Sequence, residues 1–225
     1  RVGGNIGNPL IDEAVVAQPS DWVVAEVSSF QLESIRSFKP KFSAIINISP
    51  DHLDRYFSME EYMEAKFRIF ANQNAGDTFV GNLDDERIAQ LAEGEGAARI
   101  KCRTVWYSRE PHRMSTLYGR NGAKIVYAPP TGDPRPIDVM DVSEIPLLGE
   151  HNVDNVMAAT LIALAAGVEP PAIRDAVRTF KPLPHRLTQV AEVDGVRYVD
   201  DSKATNPGSV IAALRTFAEG KIVLI

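Results

Sequence analysis

Short runs rich in β-branched residues alternate along this chain with longer stretches of helical periodicity, and that alternation constrains the fold more than any single motif. Strands separated by helices are joined by crossovers, and crossovers build parallel sheets covered by helices. The expected class is α/β, a mostly parallel sheet with flanking helices. The helix-like PLIDEAVVAQ leads to the strand WVVAEV (22–27), the helix SFQLESIR, the strand FSAIINI (42–48) and an amphipathic helix from Ser58 to about Asn72. Strand DTFVGN, helix DDERIAQLAE and strand RTVWYS follow. Asn121-Gly122 sits between two alternating runs in STLYGRNGAKIVY (115–127), a hairpin signal, and APPTGDPRP (128–136) reads as a surface loop. An almost wholly apolar helix runs from His151 to Gly167, and PPAIRDAVRTF makes another with proline at its start. Two prolines interrupt the pattern at KPLPHR (181–186), which places a domain boundary there, between 1–182 and 183–225. Beyond it come a hairpin about Asp194-Gly195, a helix through SVIAALRTF and a last strand, KIVLI.

With 225 residues, 44% of them hydrophobic, the chain can bury a sizeable core. No run approaches the roughly 18 apolar residues of a membrane span, and RVGGNIGNPL lacks the basic start and apolar core of a signal peptide. A cytoplasmic, monomeric protein is expected, with no membrane partner. Lys+Arg 24 against Asp+Glu 30 gives a net charge of −6 without a basic block, which argues against a nucleic-acid groove. The single cysteine, Cys102, cannot form an internal disulfide and reads as a small buried hydrophobe. The chain opens in a glycine-rich loop without a feeding strand and stops on an uncovered apolar strand, so a fragment of a larger protein is expected.

Parallel sheets place ligands at the carboxyl ends of their strands. After WVVA comes Glu26, with Ser28, Ser29 and Gln31 at the start of the next helix; after IINIS comes Asp51-His52-x-Asp54-Arg55-Tyr56. A carboxylate on one strand end and an imidazole on the next suit a divalent metal shared with phosphate oxygens, although Ser49 and Asp51 could equally cap and turn the chain. In SMEEYMEAKFRIFAN, Met59, Tyr62, Met63, Lys66 and Phe70 share a face, opposite Glu60, Glu61, Glu64 and Arg68. A lysine in that stripe is either desolvated, and so able to hold phosphate or take up carbon dioxide as a carbamate, or snorkelling at its edge.

Polar groups in LLGEHNVDNVMAATLIALAAG are confined to its start, where Asn152 and Asn155 stand three apart. Their amides match the N6/N7 edge of adenine, while capping would explain only one of them. Arg186 follows the proline boundary, where it either reaches a phosphate or lies on the surface. Asp200 and Asp201 end a strand, Lys203 and Thr205 follow, and Asn206-Pro207 starts the next helix, a setting for an anion and for ribose hydroxyls. No GxxxxGK[ST] occurs, and VGGNIG is not a GxGxxG.

Taken in order, GGNIGNP (3–9), EVSSFQLE (26–33), NISPDHLDRY (47–56), the lysine of EAKFRIF, GEHNVDNVMAA (149–159), PHR (184–186) and DSKATNP (201–207) resemble the Mur ligases. The loop DSKATN is most similar to the branch that adds D-glutamate to UDP-N-acetylmuramoyl-L-alanine in making peptidoglycan precursors. Branches adding L-alanine, a diamino acid or a dipeptide, and folylpolyglutamate synthase, carry other residues there. The resemblance implies a central ATP-binding domain followed by the start of a Rossmann-like carboxyl-terminal domain, without the family's amino-terminal domain or P-loop. It implies ATP and Mg2+ as cofactors and UDP-N-acetylmuramoyl-L-alanine and D-glutamate as substrates. Glu26, His52 and a carbamylated Lys66 match metal ligands at the catalytic centre. Asn5, Ser28 and Gln31 match the UDP-sugar site; Asn152 and Asn155 the adenine; Arg186, Asp201 and Lys203 the ATP ribose and phosphates; Thr205 a D-glutamate contact.

Two rivals stand beside an amide ligase. One is a metal-dependent hydrolase using Asp51, His52, Asp54 and a carbamylated Lys66, although of the four histidines, at 52, 112, 151 and 185, only one falls in that cluster. The other is a non-catalytic nucleotide or UDP-sugar binding module.

Overall fold

Strands β1 (Val2–Gly4) and β2 (Val24–Glu26) pair in parallel, and a parallel pair needs a crossover, supplied by helix α1 (Leu10–Val16). The pairing is close enough to exclude side chains. A Cβ on Gly4, whose φ is 112°, would lie 2.2 Å from the Glu26 carbonyl oxygen. The computed structural model describes all residues except 131, 133, 134, 218 and 219. Its described part divides into two units, one formed by Arg1–Pro40 with His52–Asn72, the other by Lys41–Asp51 with Gln73–Ile225.

In the first unit, helix α2 (Ser29–Glu33) packs on helix α3 (Met59–Phe67). Ser58 caps α3 by accepting from the Glu61 N–H at 3.2 Å, and the helix tightens into a 3-10 turn over Arg68–Phe70. Leu32, Tyr62, Ala65, Phe67 and Phe70 are buried. Arg68 donates to the carbonyls of Leu32 at 2.7 Å and Ile35 at 2.9 Å, satisfying acceptors that the end of α2 leaves open.

The second unit is built on a six-stranded sheet in the order β3 (Phe42–Ile45), β4 (Thr78–Asn82), β5 (Arg103–Ser108), β6 (Leu117–Arg120), β7 (Lys124–Tyr127), β8 (Ile137–Asp141). The pairs from β3 to β6 are parallel; β6, β7 and β8 are antiparallel. All five residues of β4 are buried, as a central parallel strand covered on both faces requires. Short helices α4 (Glu86–Ala89) and α5 (Gly94–Ala98) follow β4. Helices α6 (Glu150–Ala165) and α7 (Pro170–Arg178) complete the core, in which Met157, Leu161 and Ile173 meet Val80, Val105, Tyr107, Leu117 and Ile125. Strands β9 (Thr188–Val193) and β10 (Val196–Asp200) form a separate antiparallel hairpin, followed by helix α8 (Pro207–Thr216).

The expected α/β class with a mostly parallel sheet is what the fold shows. Both hairpins turn where the sequence places them. Asn121 and Gly122 have φ of 53° and 63°, Asp194 and Gly195 50° and 78°, the left-handed pairs that a two-residue hairpin turn needs. Gly167 closes the apolar helix at φ 87°. Three readings need correction. The expected helix DDERIAQLAE shrinks to Glu86–Ala89, because Asp85 caps it by accepting from the N–H groups of Arg87 and Ile88 at 3.0 and 3.1 Å. The segment IDVMD, which periodicity passed over, is β8, a strand defined by its partner β7. Residues 221–225 form no strand, since no neighbouring ladder pairs with them, and Val223, Leu224 and Ile225 are exposed. The expected loop 128–136 includes positions 131, 133 and 134, which lie outside the described residues.

Candidate active site

In the first unit Asn5 and Glu26 stand at the carboxyl end of the β1–β2 pair. Glu26 ends β2 and is exposed, and its Oε1 accepts from Asn5 Nδ2 at 3.0 Å. The Asn5 backbone N–H donates to the Glu26 carbonyl at 2.7 Å, so the two residues are locked by the register of the strands. Ser28 and Gln31 form a capping box on α2. The Gln31 N–H donates to Ser28 Oγ at 3.3 Å, and the Ser28 N–H donates to Gln31 Oε1 at 2.9 Å. With Oε1 so engaged, the donor that Gln31 can offer a ligand is its Nε2 amide.

His52 is exposed and holds a left-handed φ of 54°. Its ring lies 4.8 Å from Phe30, in the first turn of α2, and 6.4 Å from Tyr62 of α3. The Lys66 ammonium sits 4.9 Å from the centroid of that same Tyr62 ring. Tyr56 stacks on Phe30 with the planes 2° apart, and burial together with its hydrogen bond to Glu33 at 2.6 Å pushes its phenol up from the ordinary value. His52 and Lys66 thus both lie near the Tyr62 ring. Lys66 is half-buried. An ammonium there is a cation, and it becomes a metal ligand only by taking up carbon dioxide.

In the second unit the site is built around the start of α6. Gly149, at φ 93°, precedes the helix, so neither asparagine is its cap. Asn152 Nδ2 donates to the Leu148 carbonyl at 2.7 Å and lies 3.1 Å from His151 Nε2, while Asn155 Nδ2 donates to Asn152 Oδ1 at 3.1 Å. The spacing of three puts both amides on one face, as the sequence predicts. Burial pushes the His151 imidazole below its ordinary value; the Asp201 charge works against that and the Arg186 charge adds to it.

The segments carrying Arg186 and Lys203 are joined by the backbone. The Leu187 N–H donates to Asp201 Oδ1 at 3.1 Å, the Lys203 N–H donates to the His185 carbonyl at 3.2 Å, and His185 Nδ1 lies 2.6 Å from Asp200 Oδ2. The Ser202 N–H and His185 hold the Asp200 carboxyl below its usual range. Arg186, Lys203 and Thr205 are exposed, an arrangement of two cations and a hydroxyl that can face an anion.

Sequence reasoning passed over a charged cluster in the second unit. Asp154, between the two asparagines, turns inward, its Oδ1 3.4 Å from Arg109 Nε. Arg109 also pairs with Glu150, and its backbone N–H donates to Asp84 at 2.7 Å. Burial raises the Asp154 carboxyl to about 6, despite Arg109, and raises the enclosed Tyr107 hydroxyl as well. Among the described residues no three His, Cys, Asp or Glu side chains are grouped to hold a metal ion. No helix among them is long and apolar enough to cross a membrane.

Comparison with known proteins places these clusters in context. The family described as Mur ligase middle domain matches residues 3–163. This chain belongs to the Mur ligase family. It is 44% identical over 219 residues to a UDP-N-acetylmuramoylalanine–D-glutamate ligase of Koribacter versatilis, covering 97% of this chain and 46% of that one. A protein of the same name in Pelotomaculum thermopropionicum is 44% identical over 224 residues, 100% of this chain and 47% of the relative. Among solved structures, the MurF ligase of Thermotoga maritima in complex with ADP superposes with a TM-score of 0.66 at 14% identity, covering 96% of this chain and 50% of that one. That likeness is one of fold. The chain therefore spans about half the length of the curated relatives it matches. The matched region 3–163 includes Asn5, Glu26, His52, Lys66 and the asparagine pair on α6, while Arg186 and the 201–207 loop lie beyond it.

Proposed function

We propose that this chain is the ATP-handling part of a ligase that joins D-glutamate to UDP-N-acetylmuramoyl-L-alanine. The observation that carries this reading is the 44% identity to D-glutamate ligases across almost the whole chain, DSKATNP loop included. In this reading residues 1–182 form the central domain and 183–225 begin the carboxyl-terminal one.

The reaction has two steps. A terminal carboxylate oxygen of UDP-N-acetylmuramoyl-L-alanine attacks the γ-phosphorus of ATP, and ADP leaves. The D-glutamate nitrogen then attacks the acyl phosphate carbon, phosphate departs with the bonding pair, and the nitrogen loses a proton. Both steps crowd anionic oxygens, so positioning and charge neutralisation dominate. Arg186 and Lys203 supply positive charge; Asn152 and Asn155 present amides to the adenine edge; Asp201 accepts from the ribose hydroxyls. Asn5, Ser28 and Gln31 lie where the UDP-sugar would be held, and Thr205 where D-glutamate would be. The exposed carboxylate of Glu26 and the exposed imidazole of His52 are donors that suit Mg2+, with Lys66 joining them once carbamylated. When bound, the ion offsets phosphate charge.

Steady-state turnover of the full-length protein tests the proposal. ADP should form only when UDP-N-acetylmuramoyl-L-alanine and D-glutamate are both present. Equal turnover with L-alanine or a diamino acid in place of D-glutamate would reject the substrate assignment.

A further inference from the structure

Two residues to which the proposed chemistry gives no role meet across 155 positions of sequence: Asn206 Nδ2 donates to Asp51 Oδ2 at 3.1 Å. Both partners are held from behind. Asn206 is the N-cap of α8, and its Oδ1 accepts from the Ser209 N–H at 2.9 Å and from the Ser209 hydroxyl at 2.8 Å. With the carbonyl oxygen engaged in capping, the amide nitrogen is the atom turned to Asp51. On the other side, the segment after β3 is fixed by Asp85, whose Oδ2 accepts from the Ile48 N–H at 2.8 Å, and by Arg87, which donates to the Ile48 carbonyl at 3.3 Å. The Gly208 backbone comes close to the Ser49 side chain at the same point. A Cβ on Gly208 would lie 3.5 Å from Ser49 Oγ, ordinary contact distance.

We propose that Asp51 and Asn206 form a latch that registers the 201–205 loop onto the end of β3. Neither is a catalytic residue; both are positioning residues. The amide of Asn206 serves the helix cap with one atom and the latch with the other, so the start of α8 and the placement of Asp201, Lys203 and Thr205 are set together. Aspartate at 206 would keep the capping oxygen but replace the donor by a second carboxylate facing Asp51. Asparagine at 51 would then restore a donor and an acceptor in exchanged places.

The test is a swap, read by amide hydrogen exchange in the loop 201–206 and the first turn of α8. In Asn206→Asp, exchange there should accelerate about tenfold or more, the scale set by losing a hydrogen bond to a charged group. The double variant Asp51→Asn with Asn206→Asp should return to within about threefold of the parent. Unchanged exchange in Asn206→Asp, or failure of the double variant to recover, overturns the latch; an Asn206→Asp protein too unstable to measure still leaves recovery by the swap as the deciding result. The functional consequence rests on the ligase reading. In the full-length protein the KM for ATP should rise in Asn206→Asp and recover in the double variant. Absence of ATP turnover in the parent protein counts against the ligase, while the exchange result judges the latch by itself.

Discussion

The Asp154 carboxylate stands 3.4 Å from the Arg109 guanidinium, inside the helix turn that displays Asn152 and Asn155 on its other side. That helix turn is thereby tied to the carboxyl end of β5, where Arg109 follows Ser108, whose hydroxyl donates to Asp84 at 2.7 Å.

This pair makes stability depend on pH. The Asp154 carboxyl is raised from 3.8 to about 6 by burial, so the folded protein holds that proton more tightly than the unfolded chain. Its contribution is therefore present at low pH and is lost as pH rises from about 4 through 6. Asp154→Asn removes the titration. The stability of the variant relative to the parent should improve by on the order of 1 to 3 kcal/mol between pH 4 and pH 7.5, measured by denaturant titration at both values. A pH-independent difference would count against a buried, ionisable Asp154.

At Gln31 the capping box and a ligand contact use different atoms. Gln31→Glu keeps the oxygen that accepts from the Ser28 N–H and removes the amide donor. The melting temperature should hold while the KM for the UDP-sugar substrate rises in the full-length protein. A fall in melting temperature with unchanged KM would make the residue purely structural.

Gly81 is the one position in β4 where a methyl group has no room. A Cβ there would lie 2.1 Å from Trp106 Cζ3, and both flanking strands hold the backbone in place. Gly81→Ala should cost about 1–3 kcal/mol by denaturant unfolding, with the loss recovered in part when Trp106 is also changed to a smaller aromatic such as phenylalanine.

Lys66 is expected to carry a carbamate. Incubation with 13C-bicarbonate should give one labelled carbamate carbon by NMR, lost in Lys66→Arg, whose guanidinium cannot take up carbon dioxide at neutral pH. A spectrum identical for both proteins would leave Lys66 as an ammonium over the Tyr62 ring.

Much of the fold was legible because it is local. Hairpins at Asn121-Gly122 and Asp194-Gly195 follow from residues that accept a left-handed φ, and the helix α6 from an unbroken apolar run closed by glycine. Strand β8 was not legible, because IDVMD owes its strand character to pairing with β7, and the 221–225 run, more strand-like in letters, finds no partner. Candidate site residues were legible as types at strand and helix ends, such as Glu26 after β2 and Asn152 with Asn155 at the start of α6. Asp154 was passed over because inside or outside is decided by packing, and Arg109, just after β5, lies 45 residues earlier.

The sequence alone determined the α/β class, the turn positions and the chemical types available to a site, since each of these depends on backbone preference or on spacing within a few residues. Only the tertiary structure decided which groups meet: His52 and Lys66 each with Tyr62, Asp154 with Arg109, and Asp51 with Asn206. Those meetings depend on crossover connections that bring distant strand ends to one edge, and no local preference encodes the distance between two side chains 155 residues apart.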